Sequence, residues 1–114
     1  MSYPPVQIHD STSYNVSGKV SYASIFCSDD DYSATPSTTW TGPGRGVCLV
    51  TEITATVQTP NGNIVATPYT SSGTSYSEYA VIATSGNTFQ VTRVVSKLED
   101  KKPADYKEPT EKQK

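Results

Sequence analysis

The sequence predicts an all-β chain: an antiparallel β-sandwich of six to seven strands over residues 1–96, then a charged C-terminal tail, 97–114, expected to be disordered. Three observations carry this. Apolar residues recur at every second position along most of the chain, the period of a strand with one buried face. Tyr is abundant (8 residues), as are Ser and Thr (31 together), and Thr and Tyr suit strands. Eleven of the last 18 residues are charged, too polar a run to bury enough surface to offset its ordering entropy.

In chain order, residues 5–9 read as a short strand. Residues 15–26 read as a longer one, with Val16, Val20, Tyr22 and Phe26 in phase and Gly18 suggesting a bulge. The polar stretch 27–38 reads as a loop, and 38–41 as a short strand around Trp40, followed by a glycine-rich turn over 42–46. The clearest strand is 46–58. Val47, Leu49, Thr51, Ile53, Ala55 and Val57 fall on one face, and the other face becomes polar toward its end. Pro60-Asn61-Gly62-Asn63 supplies a hairpin turn, and the return strand 64–70 is placed at an edge or bent by Pro68. Residues 71–74 read as a loop. Strands 75–84 and 88–96 form a second hairpin about Ser85-Gly86-Asn87, apolar on both faces and so expected to be central. A body of this size supports one modest core, and two packed sheets are the economical arrangement, with a small closed barrel as the alternative.

Composition excludes several functions. The formal net charge is −2, and residues 1–96 hold three positive charges (Lys19, Arg45, Arg93) against six negative ones. A nucleic-acid partner is not expected of such a chain, nor attraction to an anionic membrane. No apolar run is long enough for a transmembrane helix. The first residues show no secretory leader, so the expected location is cytoplasmic, or outside the cell after release without a signal peptide. One His and two Cys leave little for a metal site, and no cofactor is expected. No nucleophile elbow or phosphate loop appears, and nothing pairs the carboxylates, so no enzyme activity and no catalytic residue are expected.

Some features could still carry chemistry. Cys27 and Cys48 either form a disulfide that staples the Asp-rich segment or stay reduced as small buried hydrophobes. The lack of a leader favours reduced thiols. Asp29, Asp30 and Asp31 offer alternate carboxylates for calcium but lack the rest of a calcium loop, and read as a solvated turn. Asn15-Val16-Ser17 is a glycosylation sequon, taken as an ordinary strand start where no leader is seen. The candidate ligand-binding residues are Tyr32, Trp40, Arg45, Tyr76 and Tyr79. The aromatic ones lie in or near loops and combine an apolar body with a polar tip, and Arg45 could fork onto a phosphate or carboxylate. The opposing expectation is that Trp40 caps one end of the core while Arg45 pairs with the Asp run.

The stretches beginning Val16-Ser-Gly-Lys-Val-Ser-Tyr-Ala-Ser-Ile-Phe-Cys, Gly46-Val-Cys-Leu-Val-Thr-Glu-Ile and Tyr69-Thr-Ser-Ser-Gly-Thr-Ser-Tyr resemble the aegerolysin-like small β-sandwich proteins. This family includes nematode relatives associated with longevity. The resemblance rests on length, strand order and Ser/Thr/Tyr richness, and covers the body but not the tail. It implies a compact sandwich that binds a lipid headgroup or glycan, with dimerisation or a protein partner. Some members of the family recognise particular lipids and recruit a larger pore-forming protein. The functional expectation is therefore a non-enzymatic, lectin-like or lipid-binding module, as a homodimer or higher homo-oligomer. The alternative is a self-associating structural protein built through strand edges or faces.

Overall fold

Period-2 alternation organises the chain into ten strands and no helix among the described residues, 3–85 and 87–94 of a computed structural model. The segment 97–114, and with it the expected boundary at residue 96, lies outside the described residues, as does Gly86 of the expected turn. The strands are β1 (Gln7–Asp10), β2 (Asn15–Tyr22), β3 (Asp30–Ala34), β4 (Thr39–Thr41), β5 (Val50–Ile53), β6 (Thr56–Thr59), β7 (Gly62–Val65), β8 (Tyr69–Thr74), β9 (Glu78–Ser85) and β10 (Thr88–Arg93).

They form two packed sheets. The first has the order β10-β9-β1-β4. In the second, β2 is flanked by β3 on one side and by β5 and β6, end to end, on the other. β8 and β7 pair outside β5 and β6. The expected long strand over 46–58 is thus two segments on one path, interrupted at Thr54 and Ala55, and the return strand breaks about Pro68, which has no N–H to give a ladder. Two breaks and one unforeseen strand, β3, account for ten strands where six or seven were expected. Among the pairs of named strands one departs from the antiparallel expectation: β1 runs parallel to β9, with Ile8 opposite Tyr79.

The core lies between the sheets. Ile8, Tyr79, Val81, Phe89 and Val91 from the first sheet meet Val16, Val20, Tyr32, Val50, Ile53 and Val57 from the second. Each such burial is worth about 1.5–3 kcal/mol. β9 is central as expected, whereas β10 is the outer strand of its sheet. Its outer edge is met by Thr67, which donates its N–H to the Phe89 carbonyl and accepts from the Val91 N–H, tying the two sheets together at this corner.

Several local expectations are corrected. Gly18 marks no bulge. The register shift in β2 lies between Ser21 and Tyr22, and at Gly18 a side chain would overlap the Thr54 carbonyl oxygen. β2 ends at Tyr22, so Phe26 leaves the strand phase. A register shift between Val50 and Glu52 exchanges the faces of the next strand: Val50 points inward, then Ile53, Ala55 and Val57, while Val47 is left exposed. Residues 71–74 belong to β8 rather than to a loop. In the segment read as a polar loop, Tyr32 and Ala34 alternate inward and make β3 a strand.

Candidate functional site

The five residues expected to bind a ligand separate into two groups, and neither is an open aromatic platform. Tyr32, on β3, is buried, and its hydroxyl donates to the Thr54 carbonyl at 2.6 Å. Half-buried Trp40, on β4, packs against it with ring centroids 5.6 Å apart. Together they fill the side where β3 passes into β4. Burial and the negative charge of Asp10 push the Tyr32 phenol well above its ordinary pKa.

The second group centres on Arg45, which is buried and donates to backbone oxygens rather than pairing with the Asp run. Its Nε donates to the Pro4 carbonyl at 3.0 Å and Nη1 to Cys48 O at 3.0 Å. Nη2 donates to Ser75 O at 2.8 Å, Tyr76 O at 3.1 Å and Ser77 Oγ at 3.0 Å. The guanidinium thus pins the N-terminal segment, the Cys48 turn and residues 75–77 to one another, and its donors are committed inward, away from any phosphate in solution. Tyr79 is buried in the same region, its hydroxyl donating to Tyr76 O at 2.9 Å. Tyr76 is half-buried, with the Arg93 guanidinium 3.4 Å above its ring centre.

A different set of residues is turned outward. β2 stops at Tyr22 and the chain swings through residues 23–28, which place Ile25 (94% exposed) and Phe26 (90%) in solvent. Val47 is 70% exposed one residue before Cys48. Cys27 and Cys48 are bonded, with Cα atoms 6.1 Å apart. This corrects the expectation of reduced thiols, and the bond fixes Phe26 and Val47 on neighbouring loops. A shallow cleft lined by Tyr22, Ala23, Ser24, Ile25, Cys27, Ser28 and Asp29 runs beside them. The Ser24 Oγ accepts from the Phe26 N–H at 3.1 Å and the Cys27 N–H donates to the Ser24 carbonyl at 3.0 Å, so the turn is held by the backbone and side chain of Ser24.

The charge around this tip is acidic. Tyr22 Oη donates to Asp30 Oδ2 at 2.7 Å, and burial, followed by that bond and the nearby carboxylates, raises the Tyr22 phenol above its ordinary range. Asp31 pairs with Lys19 at 3.9 Å on the surface. Among the described residues no group of three or more His, Cys, Asp or Glu is arranged to hold a metal ion, and no helix is long and apolar enough to cross a membrane.

Sequence reasoning missed Ile25 and Phe26 because both lie inside the stretch 15–26 read as one strand, with Phe26 in its phase. A usable signal was present: two large apolar residues side by side cannot share the inner face of one strand, and a cysteine follows at once. The chain matches no protein-family model, no curated protein and no solved structure.

Proposed function

We propose that this protein is a non-enzymatic docking module that seats the tip formed by Ile25, Phe26 and Val47 in the interfacial region of a zwitterionic lipid surface. The observation that carries the reading is the near-complete exposure of two adjacent large apolar side chains on a covalently stapled turn. Leaving them in water costs free energy, and a patch of this kind commonly marks a contact site. Phe26 offers one ring face, but Ile25 and Val47 add none and none of the three carries a polar group for a sugar's hydroxyls, which favours lipid over glycan. The three side chains offer on the order of 500 Å², short of the roughly 800 Å² per partner of a stable protein interface. Insertion into lipid needs no matching surface. Asp29, Asp30 and Asp31 beside the tip oppose an anionic bilayer. The resemblance to aegerolysin-like sandwiches, which implies a lipid headgroup or a glycan, is compatible with this ligand class.

The test is co-sedimentation with phosphatidylcholine vesicles. Burial of Ile25 and Phe26 contributes about 3 kcal/mol or more, so Ile25→Ser/Phe26→Ser should weaken partitioning roughly 100-fold with an unchanged circular dichroism spectrum. Equal partitioning of the two proteins, or no partitioning of the native chain, sinks the proposal. A native dimer that becomes monomeric in the double variant would assign the tip to a second copy instead, and with it the self-association reading.

A further inference from the structure

We propose that Asn15 is an acceptor site for an N-linked glycan. The sequon Asn15-Val16-Ser17 lies at the start of β2, where alternation decides which side chains face outward. Val16 is buried in the core. Asn15 and Ser17, one position to either side of it, therefore share the outer face of the sheet, Asn15 exposed and Ser17 half-buried. The acceptor amide and the hydroxyl that a transferase reads stand on the same, accessible side.

Two further observations support the site. Asn15 borders an open cleft of about 350 Å³ whose other lining includes Ser33, Thr35, Thr38 and Gln58, all exposed. Val16 and Ala34 complete the lining, so a first sugar on Asn15 would meet hydrogen-bonding side chains beside a smaller apolar floor. The Cys27–Cys48 bond is the second. Such bonds persist in oxidising compartments, and the eukaryotic secretory pathway is the one in which sequons are read. The tip lies beyond the far end of β2. Asn15 is seven residues from Tyr22, roughly 23 Å along a strand, so a glycan here leaves the tip uncovered while shielding the outer face beside β3.

A polyprenyl-diphosphate-linked oligosaccharide, supplied with its transferase by the secretory membrane, is the donor. The bond from the anomeric carbon to the diphosphate oxygen breaks and a bond from that carbon to Asn15 Nδ2 forms. The amide nitrogen loses one proton, and polyprenyl diphosphate leaves. Nothing is oxidised or reduced.

The test directs the full chain, behind a cleavable secretory leader, through insect or mammalian cells and weighs the secreted product intact. The expected result is a mass increase of one oligosaccharide, removed by peptide N-glycosidase with conversion of Asn15 to aspartate. Asn15→Gln and Ser17→Ala should each abolish it, Ser17→Thr should keep it, and Asn61→Gln, outside any sequon, should leave it unchanged. Secreted chain with the disulfide formed and Asn15 bare overturns the proposal, as does a glycan that persists in Asn15→Gln.

Discussion

Replacing Arg45 with alanine removes the donors that hold three segments together. In the native protein five of its hydrogen bonds, to Pro4 O, Cys48 O, Ser75 O, Tyr76 O and Ser77 Oγ, are 3.1 Å or shorter. Not all are lost outright. The single Ser77 hydroxyl proton still serves either Pro4 O or Ser75 O, which keeps Ser77 Oγ itself bonded, and Tyr76 O also accepts from Tyr79 Oη. The net loss is closer to two full charge-assisted bonds than five, about 4 kcal/mol at roughly 2 kcal/mol each. For a domain of this size that lowers Tm by about 16 °C or more. Urea unfolding followed by Trp40 fluorescence reads the change directly. Arg45→Lys should recover only part of the loss, since a point-charge ammonium cannot span both sides of the cage. A loss below about 1 kcal/mol in Arg45→Ala would refute the view of this guanidinium as the pin of the structure. If vesicle partitioning fell in Arg45→Lys while its stability stayed native, Arg45 would be a ligand-facing residue after all.

Three further outcomes are expected. Gly18→Ala would set a methyl group against the Thr54 backbone carbonyl, which cannot swing aside as a side chain can; destabilisation of about 2–3 kcal/mol should appear in thermal melts, and a native Tm would contradict it. Cys27→Ser/Cys48→Ser opens a link between residues 21 apart and should cost about 3 kcal/mol; a dithiol reductant should lower the native Tm and leave the variant's untouched. The raised phenols of Tyr22 and Tyr32 favour the neutral, folded form. Their contribution is therefore complete below the unfolded tyrosine pKa of about 10 and is lost as pH rises through the higher folded values. A spectrophotometric titration should show these two ionising after the exposed tyrosines; phenolate growth in a single step near pH 10 with the fold intact would contradict the assignment.

What could be read in the sequence follows from where strand period and burial agree. β9 and β10 were legible because Tyr79, Val81, Phe89 and Val91 keep one phase throughout and are all buried. β3 was hidden: Tyr32 and Ala34 alternate properly, but three consecutive aspartates and two serines mask a strand that needs only two inward side chains. The phase change at Val50 was invisible for another reason. Both faces of residues 47–50 carry apolar side chains, so no hydropathy pattern distinguishes a shifted register from a regular one. Arg45 was singled out correctly as unusual and assigned the wrong partners, because backbone carbonyls gathered from residues 4, 48 and 75–76 leave no mark in side-chain spacing. The tip was lost by extending a strand pattern four residues past its end.

The parallel pairing of β1 with β9 bears on the order in which the molecule can be assembled. Residues 15–74 contain every strand of the second sheet and can condense as they leave the ribosome, each new strand finding a neighbour already made. The first sheet cannot. β1 is synthesised before every other strand of the fold and has only three-residue β4 beside it until β9 arrives some seventy residues later. Between the synthesis of β4 and that of β9 the segment with Val6 and Ile8 thus lacks its parallel neighbour, and the β9–β10 hairpin acts as a clasp that closes over it. A chain stopped before residue 81 should therefore hold the second sheet with β1 still lacking its β9 partner.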